Sequence, residues 1–152
     1  MTDPAYTNVL FNKFFSRTAP AETIEKPPLL TKIYLTSLLK EIIDILDGRI
    51  IYGEDLLDRE VFTACGSDMM SDVLAFVKEQ AVLLTGLVNP QVVRTAEMMD
   101  MSCIVFVRGK SPDMGMIDLA EQRDIVLIGT DLEMFTSCGR LYAHGLRGGS
   151  GK

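Results

Sequence analysis

The chain has 152 residues, of which 47% are hydrophobic and 24% are charged, and its formal net charge is −6. This length suits a single domain whose core is large enough to fold without disulfides or metals. The acidic balance argues against a nucleic-acid-binding surface, which needs a basic face, and no apolar run approaches the roughly 20 residues of a membrane span. The odd number of widely spaced cysteines predicts a reducing, cytoplasmic compartment.

A change in composition divides the chain near residue 30. The first 47 residues contain no glycine, and four of the six prolines lie within the first 28. Residues 18–28, TAPAETIEKPP, predict an extended linker, because the paired prolines stop a helix. Upstream, residues 6–15 have helical apolar spacing, and three states stay open for them: disorder, docking on the same domain or a twin subunit, and docking on another protein. We expect flexible ends at residues 1–30 and 147–152.

Helix and strand signals then alternate. An apolar stripe at helical spacing predicts a helix over residues 35–47, ended by Gly48 in the left-handed conformation. Two strands are expected next, at Arg49–Tyr52 and Glu60–Cys65. Ser71 is expected to cap the helix that follows them.

Three short apolar runs rich in β-branched residues predict strands buried on both faces: Ala81–Thr85, Cys103–Val107 and Ile125–Ile128. They begin 22 residues apart, which is about the length of a strand, a helix and two loops. Each run is followed by a helix-start signal, namely Asn89-Pro90, Ser111-Pro112 and a capping-box pattern over Thr130–Glu133.

The last predicted helix carries Leu132, Phe135 and Tyr142 on one side and ends at His144-Gly145. With right-handed crossovers between successive strands, residues 31–146 are predicted to form a three-layer α/β domain. Its sheet is mostly parallel, and helices cover both faces.

Polar residues follow the predicted strands, at the edge where open parallel sheets bind ligands. The sequence RGKS brings two cations to a helix start, which suits an anion. It is not a Walker A loop, because Ile104 stands where that motif needs glycine. The candidate ligand-binding residues all lie in these strand-end positions: Ser67, Asp68, Thr85, Gly86, Asn89, Arg108, Gly109, Lys110, Ser111, Thr130 and Asp131.

Each candidate also has a purely structural explanation. Gly86 suits a tight turn, Asn89 and Thr130 suit helix caps, Ser67-Asp68 suits a turn closed on the backbone, and RGKS suits a solvated loop. Neither a metal nor a cofactor is expected, because the cysteines and His144 lack the tight spacing of a zinc site. The position of His144 in the last turn of a helix explains it without a catalytic role.

From the helix at 35 to Gly145, the order of elements resembles the DRTGG domain, a family related to the N-terminal domain of HPr kinase/phosphorylase. The signatures that carry the resemblance are, in chain order, GRIIYGEDLLDREV, ACGSDMMSDVLAF, VLLTGLVNPQVVRTAEMMD and IVFVRGKSPDMGMIDLAEQRDIVLIGTDLEMFTSCGRLY. The Asp-Arg and Thr-Gly-Gly motifs of the family name are not intact, and only Gly109 represents the glycine pair. The chain thus resembles a divergent, stand-alone member.

The resemblance implies an accessory domain without catalytic residues that associates into a homodimer. We expect a regulatory protein that senses a small phosphate-bearing ligand or nucleotide at the strand-end loops. One alternative is a protein–protein interaction module whose segment within residues 1–28 docks a partner. Another is a small α/β enzyme that uses Ser67, Asp68 and the loop at 108–111, although the sequence shows no convergent base, nucleophile and oxyanion donor.

Overall fold

The computed structural model describes residues 37–77 and 80–148. The expected N-terminal extension, with its amphipathic segment and linker, lies outside the described residues. Arg147 and Gly148 do not belong to a flexible tail as expected, since they form a short strand at the edge of the sheet. None of the helices in the two described ranges has the length and apolar content needed to cross a bilayer.

The described residues form five α-helices and eight strands, which alternate from residue 63 onward. The helices are α1 (Leu39–Ile45), α2 (Met70–Phe76), α3 (Pro90–Met98), α4 (Met114–Glu121) and α5 (Met134–Ala143). The strands are β1 (Ser37–Leu38), β2 (Arg49–Tyr52), β3 (Glu60–Val61), β4 (Thr63–Gly66), β5 (Ala81–Thr85), β6 (Cys103–Phe106), β7 (Val126–Gly129) and β8 (Arg147–Gly148).

Six of these strands form one sheet in the order β2-β7-β6-β5-β4-β8. The five strands from β4 to β8 all run parallel to one another, whereas β2 at the edge is antiparallel to β7. β1 and β3 form a separate antiparallel pair. The predicted mostly parallel sheet is therefore confirmed, and the three strands spaced 22 residues apart are neighbours within it.

Helices cover both faces of the sheet, so the domain has the three layers expected. α2, α3 and α4 pack against one face, in a cluster that includes Leu83, Ile104 and Phe106. α1 and α5 pack against the other face, together with Val105 and Ile128. Every residue of β5, β6 and β7 is buried, because successive side chains of these strands enter opposite clusters.

The chain changes face between β6 and β7. The connection after β6 leads to α4 on one face, whereas the connection after β7 leads to α5 on the other. When the connections after two adjacent parallel strands lead to opposite faces of the sheet, a crevice forms at the carboxyl ends of those strands. Ligands of open α/β sheets bind in this crevice. Because β2 is antiparallel to β7, the first residue of β2 lies at the same edge.

Both predicted boundaries of the first helix are wrong. The helix expected over residues 35–47 begins at Leu39, because the two residues before it pair with β3 as strand β1. At its end, Asp47 rather than Gly48 takes the left-handed conformation, with a φ of 48°. Aspartate is one of the few residues other than glycine that visits this region routinely.

The single strand expected over Glu60–Cys65 is two strands. β3 pairs with β1, β4 enters the large sheet, and Phe62 lies between them. Ser71 does not cap the next helix, because the N–H groups of the two following residues donate to the carbonyl oxygen of Met69, which is the cap residue.

Of the three predicted helix starts in the second half, that of α3 is confirmed, since Asn89 caps it and Pro90 is its first residue. α4 is capped by Asp113 instead of Ser111, and the Asp113 carboxylate accepts a hydrogen bond from an N–H in the first turn. α5 begins after Glu133 and receives no side-chain cap. The capping box expected over Thr130–Glu133 therefore does not form.

The apolar side that the sequence predicts for α5 is not its buried side. Phe135 is 90% exposed and Tyr142 is 60% exposed, while Leu132 precedes the helix. Ser137 and Leu141 face the core instead. The helix therefore presents one aromatic ring to solvent near each of its ends.

Candidate ligand site at the carboxyl edge of the sheet

Asp68 joins three segments at the carboxyl edge of the sheet. It follows β4, and its Oδ1 atom accepts hydrogen bonds from the N–H of Gly86 (2.6 Å) and from the hydroxyl of Thr85 (3.0 Å) at the end of β5. Its Oδ2 atom lies 3.2 Å from a guanidinium nitrogen of Arg108, which follows β6. The structure thus brings together four candidates that the sequence places in three separate stretches.

The loop after β6 is held from both sides. Arg108 and Gly109 have left-handed backbone conformations, with φ of 62° and 67°, and their N–H groups donate to two carbonyl oxygens of the loop after β7 (2.8 and 2.9 Å). On the other side, the Lys110 ammonium donates to the carbonyl oxygen of Gly86 (2.7 Å). A non-glycine residue keeps a positive φ where the surrounding structure imposes it, so these contacts give the two cations a defined position.

The guanidinium of Arg108 lies over Gly86. A Cβ atom at Gly86 would be 2.6 Å from Arg108 Cζ, so a larger residue there would push the guanidinium out of this position. Gly86 does not have a positive φ, so the space that Arg108 needs explains this glycine better than the tight turn expected from sequence.

Arg49 is a residue of this edge that the sequence analysis missed. It is the first residue of β2, and its guanidinium donates to Asp131 (3.3 Å) and to the Ser111 hydroxyl (3.2 Å). The guanidinium lies over Gly129, where a Cβ atom would be 3.0 Å from Arg49 Cζ. Its only sequence signal is an arginine at the start of a strand, which carries no information until the pairing of β2 with β7 is known.

Three cations and two carboxylates thus meet at this edge. Asp68 is only half-exposed and accepts three hydrogen bonds, so its ion pair with Arg108 is part of the structure that holds the loops together. Asp131 is 89% exposed, and Arg49 is the one ion-pair partner that it has within the described residues. Exposed ion pairs contribute only about 0–1 kcal/mol, so an incoming anion can replace Asp131 at Arg49 at little cost.

The pKa of the Asp68 carboxyl lies below its ordinary value. Burial by itself raises this pKa, but the hydrogen bonds from Gly86, Thr85 and Arg108 and the charge of Arg108 together outweigh burial and favour the carboxylate. A carboxylate stabilised in this way is a weak base, which disfavours a role in proton abstraction.

Asp68 should make the stability of the domain depend on pH. Because its folded-state pKa is depressed, its contribution is present above the unfolded-state value of about 3.9 and is lost as pH falls through the folded-state pKa. We expect the melting temperatures of the wild type and of Asp68→Asn to differ most near neutral pH and to converge below about pH 4. Thermal melts from pH 7 to pH 3 measure this, and a gap that widens with acid would contradict it.

The remaining candidates make hydrogen bonds that stabilise the segments around the site. The Ser67 hydroxyl accepts from the N–H of Met69 (3.0 Å) and closes a local turn, and the Asn89 side chain caps α3. Thr130 is buried, and its hydroxyl donates to the carbonyl oxygen of Leu46 (2.7 Å) at the end of α1. The structural explanations given for Ser67 and Asn89 therefore fit the structure, whereas Thr130 is not a helix cap.

Within the described residues, neither the cysteines nor the histidine forms a hydrogen bond with this cluster, although Cys138 lies near Gly66 at the end of β4. Burial raises the pKa of all three thiols, Cys65, Cys103 and Cys138. His144 caps the end of α5, with its Nδ1 atom 2.8 Å from the carbonyl oxygen of Arg140. Within residues 37–77 and 80–148, no three histidine, cysteine or carboxylate side chains are grouped as metal ligands.

No family model matches the sequence, and no protein of curated function matches it. A solved structure is similar, the crystal structure of the CBS and DRTGG domains of the regulatory region of Clostridium perfringens pyrophosphatase, complexed with the activator diadenosine tetraphosphate. The TM-score is 0.57 and the sequence identity is 18%, with 93% of this chain and 57% of that chain covered.

This similarity supports a DRTGG-like α/β fold for the chain. The chain spans little more than half the length of the regulatory region that it matches. At 18% identity the comparison concerns the fold, so any function must be argued from the residues of the site.

Proposed function

We propose that this chain is a non-catalytic regulatory domain that binds a small phosphate-bearing ligand at the carboxyl edge of its sheet. One observation carries the proposal: Arg49, Arg108 and Lys110, from two distant segments, are brought together where the connections of β6 and β7 part. This local group of cations belongs to a chain whose net charge is −6. Arginine and lysine donors at such an edge suit phosphate oxygens.

The contacts indicate how binding would act on the protein. An anion that replaces Asp131 at Arg49 would engage β2 and, through Arg108 and Lys110, the loop after β6. That loop is hydrogen-bonded to the loops after β5 and β7. A ligand that contacts all of these segments favours the arrangement in which they are together, and its differential affinity for that arrangement is the regulatory signal.

Two further observations support a non-catalytic, ligand-sensing role. The hydrogen bonds of Asp68 and of the Ser67 hydroxyl are directed to the protein itself, so neither group is poised as a base or nucleophile. The structurally similar regulatory region is complexed with a nucleotide activator, which supports a nucleotide as one ligand to test. We also propose that the domain forms a homodimer, as the resemblance to DRTGG domains implies.

Thermal melting with tripolyphosphate, AMP and ATP tests the proposal. A ligand present at 100 times its dissociation constant should stabilise the protein by about 2.7 kcal/mol. We expect Arg49→Ala and Arg108→Ala each to weaken binding about tenfold or more, because each removes a hydrogen bond to a charged group. Arg94→Ala removes an exposed arginine from α3 and should leave binding unchanged.

No stabilisation by any of these anions at millimolar concentration would show that the edge is not a phosphate site. An equal loss of binding in Arg94→Ala would attribute the effect to net charge and would contradict the assignment as well. Sedimentation velocity on the same samples measures the proposed dimer.

A further inference from the structure

Exposed apolar side chains occur in the connections at the carboxyl edge of the sheet, which also carry the candidate site. The four connections that follow β4, β5, β6 and β7 each present one of them at or near the start of the next helix: Met69, Val88, Met114 and Phe135. These are four of the nine large apolar residues that are exposed in the described part of the chain. They belong to the same edge of the sheet as the polar cluster, because the connections after parallel strands begin on one side. We call these four residues the apolar rim.

Phe135 is the most exposed member of the apolar rim. The residue before it, Met134, has its Sδ atom 3.1 Å from the position that a Cβ atom would take at Gly66, the last residue of β4. Two residues beyond Gly66, Asp68 forms its ion pair with Arg108. The N–H of Arg108 also donates to the carbonyl oxygen of Leu132 (2.8 Å), three residues before Phe135. The start of α5 therefore lies next to the loop that carries Arg108, and the Phe135 side chain is exposed there.

We propose that this site selects a nucleotide, with the phosphate chain on Arg49, Arg108 and Lys110 and the base stacked on Phe135. The inference rests on the proposed function and adds the class of ligand to it. An inorganic anion would leave the apolar rim in water, whereas a flat aromatic base gains both stacking and apolar contact with it.

The charges favour this occupant over a second copy of the chain. An isologous dimer whose two-fold axis passed through this cluster would place the cations of one copy near the identical cations of the other. A nucleotide instead offers negative charge to the centre of the site and an aromatic surface to its rim. The two chemical parts of the ligand thus match the two parts of the site.

Isothermal titration with ATP and with tripolyphosphate separates the two proposals. Tripolyphosphate has the same phosphate chain without the nucleoside, so it reports on the cations alone. We expect the wild type to bind ATP about tenfold more tightly than tripolyphosphate, and Phe135→Ala to remove most of that difference while its affinity for tripolyphosphate is unchanged. Phe135→Trp should keep the preference for ATP.

Met98→Ala is the matched control, because it removes an exposed apolar side chain from the last residue of α3, at the opposite end of that helix from the site. It should change neither affinity. Unchanged ATP binding in Phe135→Ala, or equal binding of the two ligands by the wild type, would overturn the nucleotide inference and leave the phosphate site standing. Failure of both ligands to bind overturns the proposed function itself.

Sedimentation velocity of Phe135→Ala adds a separate outcome. If this variant loses self-association while its affinity for ATP is unchanged, Phe135 belongs to a contact between subunits, and the nucleotide inference is wrong. If its sedimentation is unchanged while its ATP affinity falls, the ring contacts the ligand as proposed.

Discussion

Phe106→Ala should lower the free energy of unfolding by about 3–5 kcal/mol, because it removes a large buried aromatic side chain and leaves a cavity. Phe106 ends β6, a strand flanked on both sides by parallel neighbours, and it has no exposed surface. Its side chain belongs to the cluster under α2, α3 and α4. Urea unfolding followed by circular dichroism measures the change.

Phe135→Ala is the control for this prediction, since it makes the same substitution at the most exposed phenylalanine of the described residues. Surface substitutions usually change stability by less than about 0.5 kcal/mol. A cost below about 1 kcal/mol for Phe106→Ala, well under that of ordinary core truncations, would contradict the position of β6 in the buried centre of the sheet.

Thr130→Val should lower the free energy of unfolding by about 1–3 kcal/mol, the cost of leaving buried polar groups without partners. The buried Thr130 hydroxyl donates to the carbonyl oxygen of Leu46 (2.7 Å) and accepts from the N–H of Leu132 (3.1 Å). Valine has a similar shape but offers neither hydrogen bond. Because these bonds connect α1 to the loop after β7, the variant should also weaken ligand binding.

Thr95→Val separates the hydrogen bonds from the substitution as such. Thr95 is equally buried, on α3, but its hydroxyl has no hydrogen-bond partner among residues 37–77 and 80–148. Replacing it should be neutral or stabilising, since a buried unpaired hydroxyl is lost. Equal destabilisation by the two variants in urea unfolding would show that the Thr130 hydrogen bonds contribute nothing.

The candidate site illustrates which parts of a binding edge follow from sequence. Thr85, Arg108 and Thr130 were expected at one edge because parallel strands that succeed one another end on the same side, and the register of β5, β6 and β7 places them there. The interactions between these loops could not be read in advance. The pairing of Asp68 with Arg108 spans 40 residues, and no local pattern encodes it.

Some helix ends are also predictable from sequence, and others are not. Asn89-Pro90 starts α3 as expected, because an asparagine cap and a first-position proline act within one turn. The caps expected at Ser71, Ser111 and Thr130 do not form, and the hydroxyls of Ser111 and Thr130 bond to segments distant in sequence. The Thr130 hydroxyl, for example, is taken by α1.

The sequence by itself determined the α/β class, the three central strands and their parallel direction, since short β-branched runs separated by amphipathic helices can bury both faces only in such a sheet. Only the tertiary structure decided that β2 lies antiparallel beside β7, that Arg49 consequently joins the cations of the loop after β6, and that Phe135 points to solvent. These features depend on which distant segments pack together. The packing of distant segments depends on the apolar contacts of the whole core, so no local pattern of residues predicts it.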